Sequence, residues 1–178
     1  IPGKSMNELS GMISDVDEDV LVQVTENQIL FIFGNTHFYS RLLEGNYPET
    51  SQLIPDTADT TVELDAGSFL ASIERASLLS HESRNDVVKL TLKPSENLVR
   101  ISSDSPDIGT VEEEVATTAL AGNDLEISFN PNYMKDALRS FGQTTAKISF
   151  TSPLRPITLV PTEDGENFVH RITPVRTF

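Results

Sequence analysis

The sequence predicts an α+β fold of repeated helix-plus-antiparallel-meander halves, with the helices on one face of the sheets. Three observations predict it: many short strand-like stretches, three segments with apolar residues at helical spacing, and a recurring order of helix followed by three strands. Residues 1–44 read apolar residue, proline, helix and three strands. Residues 129–173 repeat that order, with Phe129-Asn130-Pro131 standing against Ile1-Pro2. Residues 61–116 give a strand and a helix followed by three more strands.

The first helix is expected over Lys4–Ile13, with Met6, Leu9, Met12 and Ile13 on one side. Strands follow at Val20–Thr25, Ile29–Phe33 and His37–Leu43, joined by the short polar turns Glu26-Asn27-Gln28 and Gly34-Asn35-Thr36. Asn46 to Glu49 ends this unit, and Pro55 to Thr60 reads as a linker. A strand at Thr61–Leu64 leads to Asp65, which caps a helix over Ala66–Ser80 with Phe69, Leu70, Ile73, Ala76 and Ser77 as its buried stripe. Strands are expected at Val87–Leu92, Leu98–Ser102, Thr110–Ala116 and Leu125–Phe129. Asn130-Pro131 opens the third helix, because Asn accepts from free backbone N–H groups and proline fits the first helical position. Its apolar face is Tyr133, Met134, Ala137, Leu138 and Phe141. Three strands close the chain: Thr145–Phe150, Pro156–Val160 and Phe168–Thr173.

Composition narrows the function classes. The 178 residues contain no cysteine, which excludes disulfides, thiolate metal sites and cysteine nucleophiles. The longest apolar run, Ile29 to Phe33, falls far short of the ~20 residues a membrane helix needs, so no membrane partner is expected. The chain begins Ile1-Pro2-Gly3-Lys4 without an initiator methionine and is expected to be a fragment. Its net charge of −14 argues against a protein that grips phosphate by itself, since counterion release requires a basic face. Encirclement of DNA is compatible with that charge, because the link is then topological.

No catalytic or metal constellation emerges. His37, His81 and His170 share no motif, and each reads as an ordinary surface or edge residue. Asp15-Val16-Asp17-Glu18-Asp19 imitates a calcium loop with Glu26 at its twelfth position, but Val20 stands where the turn needs glycine. No cofactor is expected.

Three segments resemble the bacterial DNA polymerase III beta subunit, the sliding clamp family, in its Firmicutes form. They are Tyr39-Ser40-Arg41-Leu42-Leu43-Glu44-Gly45-Asn46-Tyr47-Pro48-Glu49, Phe129 to Leu138, and the ending Ile172-Thr173-Pro174-Val175-Arg176-Thr177-Phe178. The resemblance implies the DNA clamp fold, with residues 1–54 as the second half of domain two and 55–178 as domain three. It implies a non-catalytic processivity factor, a head-to-tail homodimer ring when full length, that encircles double-stranded DNA in the cytoplasm at the nucleoid. Expected partners are the polymerase III alpha subunit, clamp-loader subunits, and other polymerases and repair proteins with clamp-binding motifs.

The resemblance also implies a peptide pocket walled by Pro48, Leu53, Asn130, Tyr133, Leu154, Pro156, Thr173, Pro174, Val175 and Arg176. Apolar members supply burial, while Asn130, Tyr133 and Arg176 orient a ligand. Some clamps carry a larger apolar residue where Thr173 stands, and an aliphatic one is common at the position of Arg171. Arg75, Lys135 and Arg139 are the DNA-facing candidates, the last two four apart on the polar face of their helix. Surface solubility is the rival explanation for each cation, and ordinary packing is the rival for Pro48, Leu53, Leu154 and Tyr133. Leu78, Leu79 and the run Glu112-Glu113-Glu114 are the candidate dimer interface, the acidic run also reading as a charged edge that discourages stray pairing.

Two alternatives stand beside this. A hydrolase with paired carboxylates would need a defined separation that nothing in the spacing selects. A scaffolding module would lack a basic inner helix face and a pocket beside the C-terminus.

Overall fold

A computed structural model of the chain describes residues 1–46, 49–50, 54–55, 57–80, 87–105, 109–163, 165 and 168–177. Two compact units are present, Ile1–Glu49 and Thr50–Phe178.

Unit 1 holds helix α1 (Gly3–Ile13) and strands β1 (Leu21–Val24), β2 (Gln28–Phe33) and β3 (Thr36–Arg41), in the antiparallel sheet order β1-β2-β3. Alternation in β2 sends Ile29, Phe31 and Phe33 to one face, where they pack with Leu9 of α1. The expected helix stripe is narrower than its pattern: Leu9 is buried, while Met6 and Met12 are 40% and 46% exposed. Strand β1 has one neighbour and exposes all four side chains, among them Leu21, Val22 and Val24.

Unit 2 begins with β4 (Thr60–Asp65) and α2 (Ala66–Ser80). Strands β5 (Val88–Lys93) and β6 (Leu98–Ser105) follow, joined by a 3-10 turn over Pro94–Glu96 that Asn97 closes in the left-handed region. Next come β7 (Gly109–Glu114), β8 (Ala119–Gly122) and β9 (Leu125–Phe129). Helix α3 (Pro131–Phe141) leads to β10 (Thr145–Phe150), β11 (Ile157–Pro161) and β12 (His170–Ile172).

The two sheets run β12-β11-β10-β4-β8 and β7-β6-β5-β9, with every pairing antiparallel. The strand that leads into each helix joins the other half's meander: β4 pairs β10, and β9 pairs β5. Neither half can therefore complete its sheet alone, and the two fold as one body. Between the sheets and helices lies a core of fully buried Phe69, Leu90, Ile101, Phe129, Met134 and Ile148.

Helix starts follow the sequence signals. Ser68 donates from both its backbone N and its hydroxyl to Asp65 Oδ1, at 2.7 Å each. Asn130 Oδ1 accepts from Asn132 N at 2.8 Å, with Pro131 at the first helical position. Asp65→Ala is expected to cost about 1 kcal/mol, seen as a lower urea midpoint at neutral pH. The bonds from Ser68 favour the ionised carboxyl and hold its pKa below the ordinary range. That contribution is present above the ordinary carboxylate pKa and is lost as pH falls through the depressed folded value. The gap between Asp65→Ala and the wild type therefore closes in acid.

Strand β8 has no counterpart among the expected elements. Ala119-Leu120-Ala121-Gly122 has weak strand propensity, and its pairing with β4 decides its conformation.

Candidate functional site: a groove at the C-terminal segment and the faces of two helices

Alternation along β5 and β9 sends Lys89 and Glu126 to the solvent side of their sheet, Lys89 Nζ standing 3.7 Å from Glu126 Oε2. Strand β9 is an edge, and the chain's last residues bind to it. Val175 N donates to Ser128 O at 2.7 Å, and the hydroxyls of Ser128 and Thr177 are 3.3 Å apart. The turn before β11 supplies the opposite wall. Together these form an open groove of about 430 Å³ lined by Lys89, Glu126, Ile127, Ser128, Pro153, Leu154, Val175, Arg176 and Thr177.

The groove brings together Leu154, Val175 and Arg176 of the expected wall, with Leu154 58% exposed. Its apolar lining is Ile127, Leu154 and Val175, and Lys89, Arg176 and Glu126 add charge beside them. Such a site suits an extended segment with apolar side chains. Tyr133 is 64% exposed on the first turn of α3, so it is not core, and it does not line the groove. Asn130 is committed to its helix cap. Pro156 and Pro174 are half-buried and Thr173 is exposed, all three outside the groove lining. Pro48 and Leu53 lie outside the described residues, as does His81. Sequence reading did not select Lys89, Glu126 or Ser128, although outward alternation on two predicted strands was a usable signal for Lys89 and Glu126.

On the helices, Arg75 donates from Nε to Glu113 Oε2 at 2.9 Å, and its Nη2 is bonded to Glu113 Oε1. Ser72 Oγ adds a 2.7 Å bond to the same carboxylate. The Arg75 guanidinium and the Ser72 hydroxyl hold the Glu113 carboxyl below the usual range, and Glu113 raises the pKa of Arg75. Arg139 Nη2 donates to Glu74 Oε1 at 2.8 Å, with Asp136 Oδ1 at 3.9 Å from Nη1.

Lys135 corrects the sequence reading. It does not project beside Arg139 from a polar face: it is 9% exposed, with Nζ 3.4 Å from Ser77 Oγ. Packing of α2 on α3 covers its stem. Leu78 is 71% exposed and Leu79 half-buried at the end of α2. Arg100 lies between Glu112 and Glu114, 3.5 Å from each, so the acidic run on edge strand β7 has cationic partners within the chain at Arg100 and Arg75.

His170 Nε2 lies 3.0 Å from Ser140 Oγ, and its ring meets Phe141 and Phe168 edge-on. His37 is exposed on β3. Among the described residues no three His, Asp or Glu side chains are grouped to hold a metal ion. No described helix is long and apolar enough to cross a membrane.

Interlocked helix-plus-meander halves, preceded along the chain by a further unit of the same helix-then-three-strands order, define the clamp class of α+β proteins. Residues 51–176 match the family described as DNA polymerase III beta subunit, C-terminal domain, and residues 1–49 match its central domain. The Bacillus subtilis beta sliding clamp is 47% identical over 178 residues, all of this chain and 47% of that protein. The Streptococcus pneumoniae beta sliding clamp is 45% identical over 99% of this chain and 46% of its own length. The crystal structure of the Streptococcus pneumoniae DNA polymerase III beta chain superposes with a TM-score of 0.92 at 45% identity, over 99% of this chain and 46% of that one. A Bartonella birtlesii sliding clamp bound to griselimycin has a TM-score of 0.87 at 27% identity, covering 99% and 46% respectively. The chain belongs to the DNA polymerase III beta-subunit family, the beta sliding clamps. It spans about half the length of the relatives it matches.

Proposed function

We propose that this chain is a segment of a sliding clamp, a non-catalytic processivity factor. Residues 1–54 supply the second half of clamp domain two and residues 55–178 supply domain three. The whole protein closes as a head-to-tail homodimer around duplex DNA, with α2 and α3 toward the DNA. Leu78, Leu79 and the β7 acidic run face the neighbouring subunit. The groove beside Val175 takes apolar segments of the polymerase alpha subunit, of clamp-loader subunits, and of other polymerases and repair proteins. The protein works in the cytoplasm, at the nucleoid.

The observation that carries this reading is likeness to beta clamps along essentially the whole chain. The net charge of −14 supports a topological hold rather than an electrostatic one. The griselimycin complex of the Bartonella relative supports a ligand-binding surface in this family.

The test is retention on DNA of the full-length protein containing this chain. After loading onto a nicked circular plasmid by its clamp loader, it should co-elute with the plasmid in gel filtration at moderate salt. It should leave when a single cut linearises the circle. Equal retention on circular and linear DNA would overturn encirclement.

A further inference from the structure

The cations of α2 and α3 are not free. Arg75 spends Nε and Nη2 on one carboxylate, that of Glu113 across from it on β7, and Ser72 braces that carboxylate from below. Arg139 spends Nη2 on Glu74 of the neighbouring helix and has Asp136 one turn back on its own helix. Lys135 is folded into the seam between the helices. Each arginine thus meets solvent as half of an ion pair, although the guanidiniums themselves are accessible: their side chains are 56% and 55% exposed.

We propose that Glu74 and Glu113 cage Arg139 and Arg75 against phosphate, and that these two carboxylates set how weakly the helix face of this chain holds duplex DNA. The inference rests on the reading of α2 and α3 as DNA-facing.

The argument is one of exchange. A free arginine that lands on DNA displaces a condensed counterion, and that release drives binding. A caged arginine must first give up a carboxylate, whose charge then returns to the interface as a repulsion. Its net contribution to counterion release is close to nothing. The fork of Arg75 makes this specific, because the planar, bidentate geometry that would grip a phosphate is already occupied by Glu113. A ring that must move along its track has use for such a surface, since every uncaged cation adds a contact to be broken at each step.

The variants are Glu74→Gln with Glu113→Gln, which keep the side-chain shape and one acceptor oxygen each but remove the counter-charges. Glu18→Gln with Glu163→Gln is the control for net charge, removing two charges as the double variant does: both residues are exposed, and no ion pair involves either among the described residues. Binding of this 178-residue chain to a short labelled duplex is followed by fluorescence anisotropy across a salt series.

The double variant should bind more tightly at low salt than the control. The slope of log K against log salt should steepen by about 0.9 for each freed cation, so by roughly two for the pair. Adding Arg75→Gln and Arg139→Gln should cancel the gain. If the double variant matches Glu18→Gln with Glu163→Gln while Arg75→Gln with Arg139→Gln weakens the wild type, the cations were already available and the cage is refuted. The DNA-facing reading would survive that result. If neither the carboxylate nor the arginine substitutions change binding, the cage and the DNA-facing reading fall together.

Discussion

Gly122→Ala is expected to destabilise unit 2 by roughly 3 kcal/mol or more, the largest effect among the glycine-to-alanine changes in this chain. Gly122 has φ +110°, a region that side-chain-bearing residues rarely adopt. A Cβ there would lie 2.0 Å from Asp59 O, 2.6 Å from Thr60 Cα and 2.9 Å from Asp59 C. All three are backbone atoms, so no rotamer change relieves the clash. The same corner is tied by bonds between Thr60 and Asn123: Thr60 Oγ1 donates to Asn123 O at 2.8 Å, and Asn123 N approaches Thr60 Oγ1 at 3.2 Å. Asp59 N in turn donates to Phe150 O at 2.8 Å. Displacing Asp59 therefore disturbs β8, β4 and β10 together. Urea denaturation measures the loss. A change within about 0.5 kcal/mol of wild type, the range of ordinary surface substitutions, would contradict this account of the β4–β8 corner. Gly34→Ala is the useful comparison: φ is +51° with nothing within 4 Å of an added Cβ, so only conformational strain is at stake.

Much of this fold is legible in the sequence because its signals are local. Asp65 and Asn130-Pro131 mark helix starts by chemistry confined to a few residues, and each makes the expected cap. Alternation in Val88–Lys93 reads directly as strand and as inward face, while the unbroken apolar run Ile29–Phe33 reads as strand and only packing decides that Ile29, Phe31 and Phe33 face inward. What escapes is set across long separations. Strand β8 exists because β4 lies beside it, not because of its own residues. Lys135 follows Met134 and precedes Leu138 by three positions, at the flank of the apolar stripe, and only the approach of α2 decides that it is covered. Small residues on that helix, Ser72, Ser77 and Ser80, are buried as well. The arginine cages join residues 38 and 65 positions apart, beyond any sequence period. Met6 and Met12 err in the other direction, because a helical stripe says which residues share a side but not how much of that side is covered.

The site divides along the same line. The C-terminal residues Val175 and Arg176 are readable by resemblance. Their attachment to β9 through Ser128, which makes a wall of them, is a tertiary contact. Leu154, 58% exposed, contributes little to the folded chain and is well placed to bury against a ligand. A leucine-sized contact is worth about 1.5–3 kcal/mol when fully covered, which is tenfold or more in affinity. Leu154→Asp should therefore weaken peptide binding at least tenfold while leaving the circular dichroism spectrum and urea midpoint near those of wild type. Tyr133→Ala with Val175→Asp should weaken it further, since Val175 lines the groove and Tyr133 stands exposed on the first turn of α3.

The most direct measurement is the fluorescence-polarisation titration of a labelled clamp-binding peptide from a replicative polymerase. It is run against this chain, the full-length protein, Leu154→Asp, and Tyr133→Ala with Val175→Asp. Saturable binding to the wild type that both variants lose would place the peptide in the groove beside the C-terminal segment. Binding that survives both variants unchanged, or no binding even by the full-length protein, would contradict it.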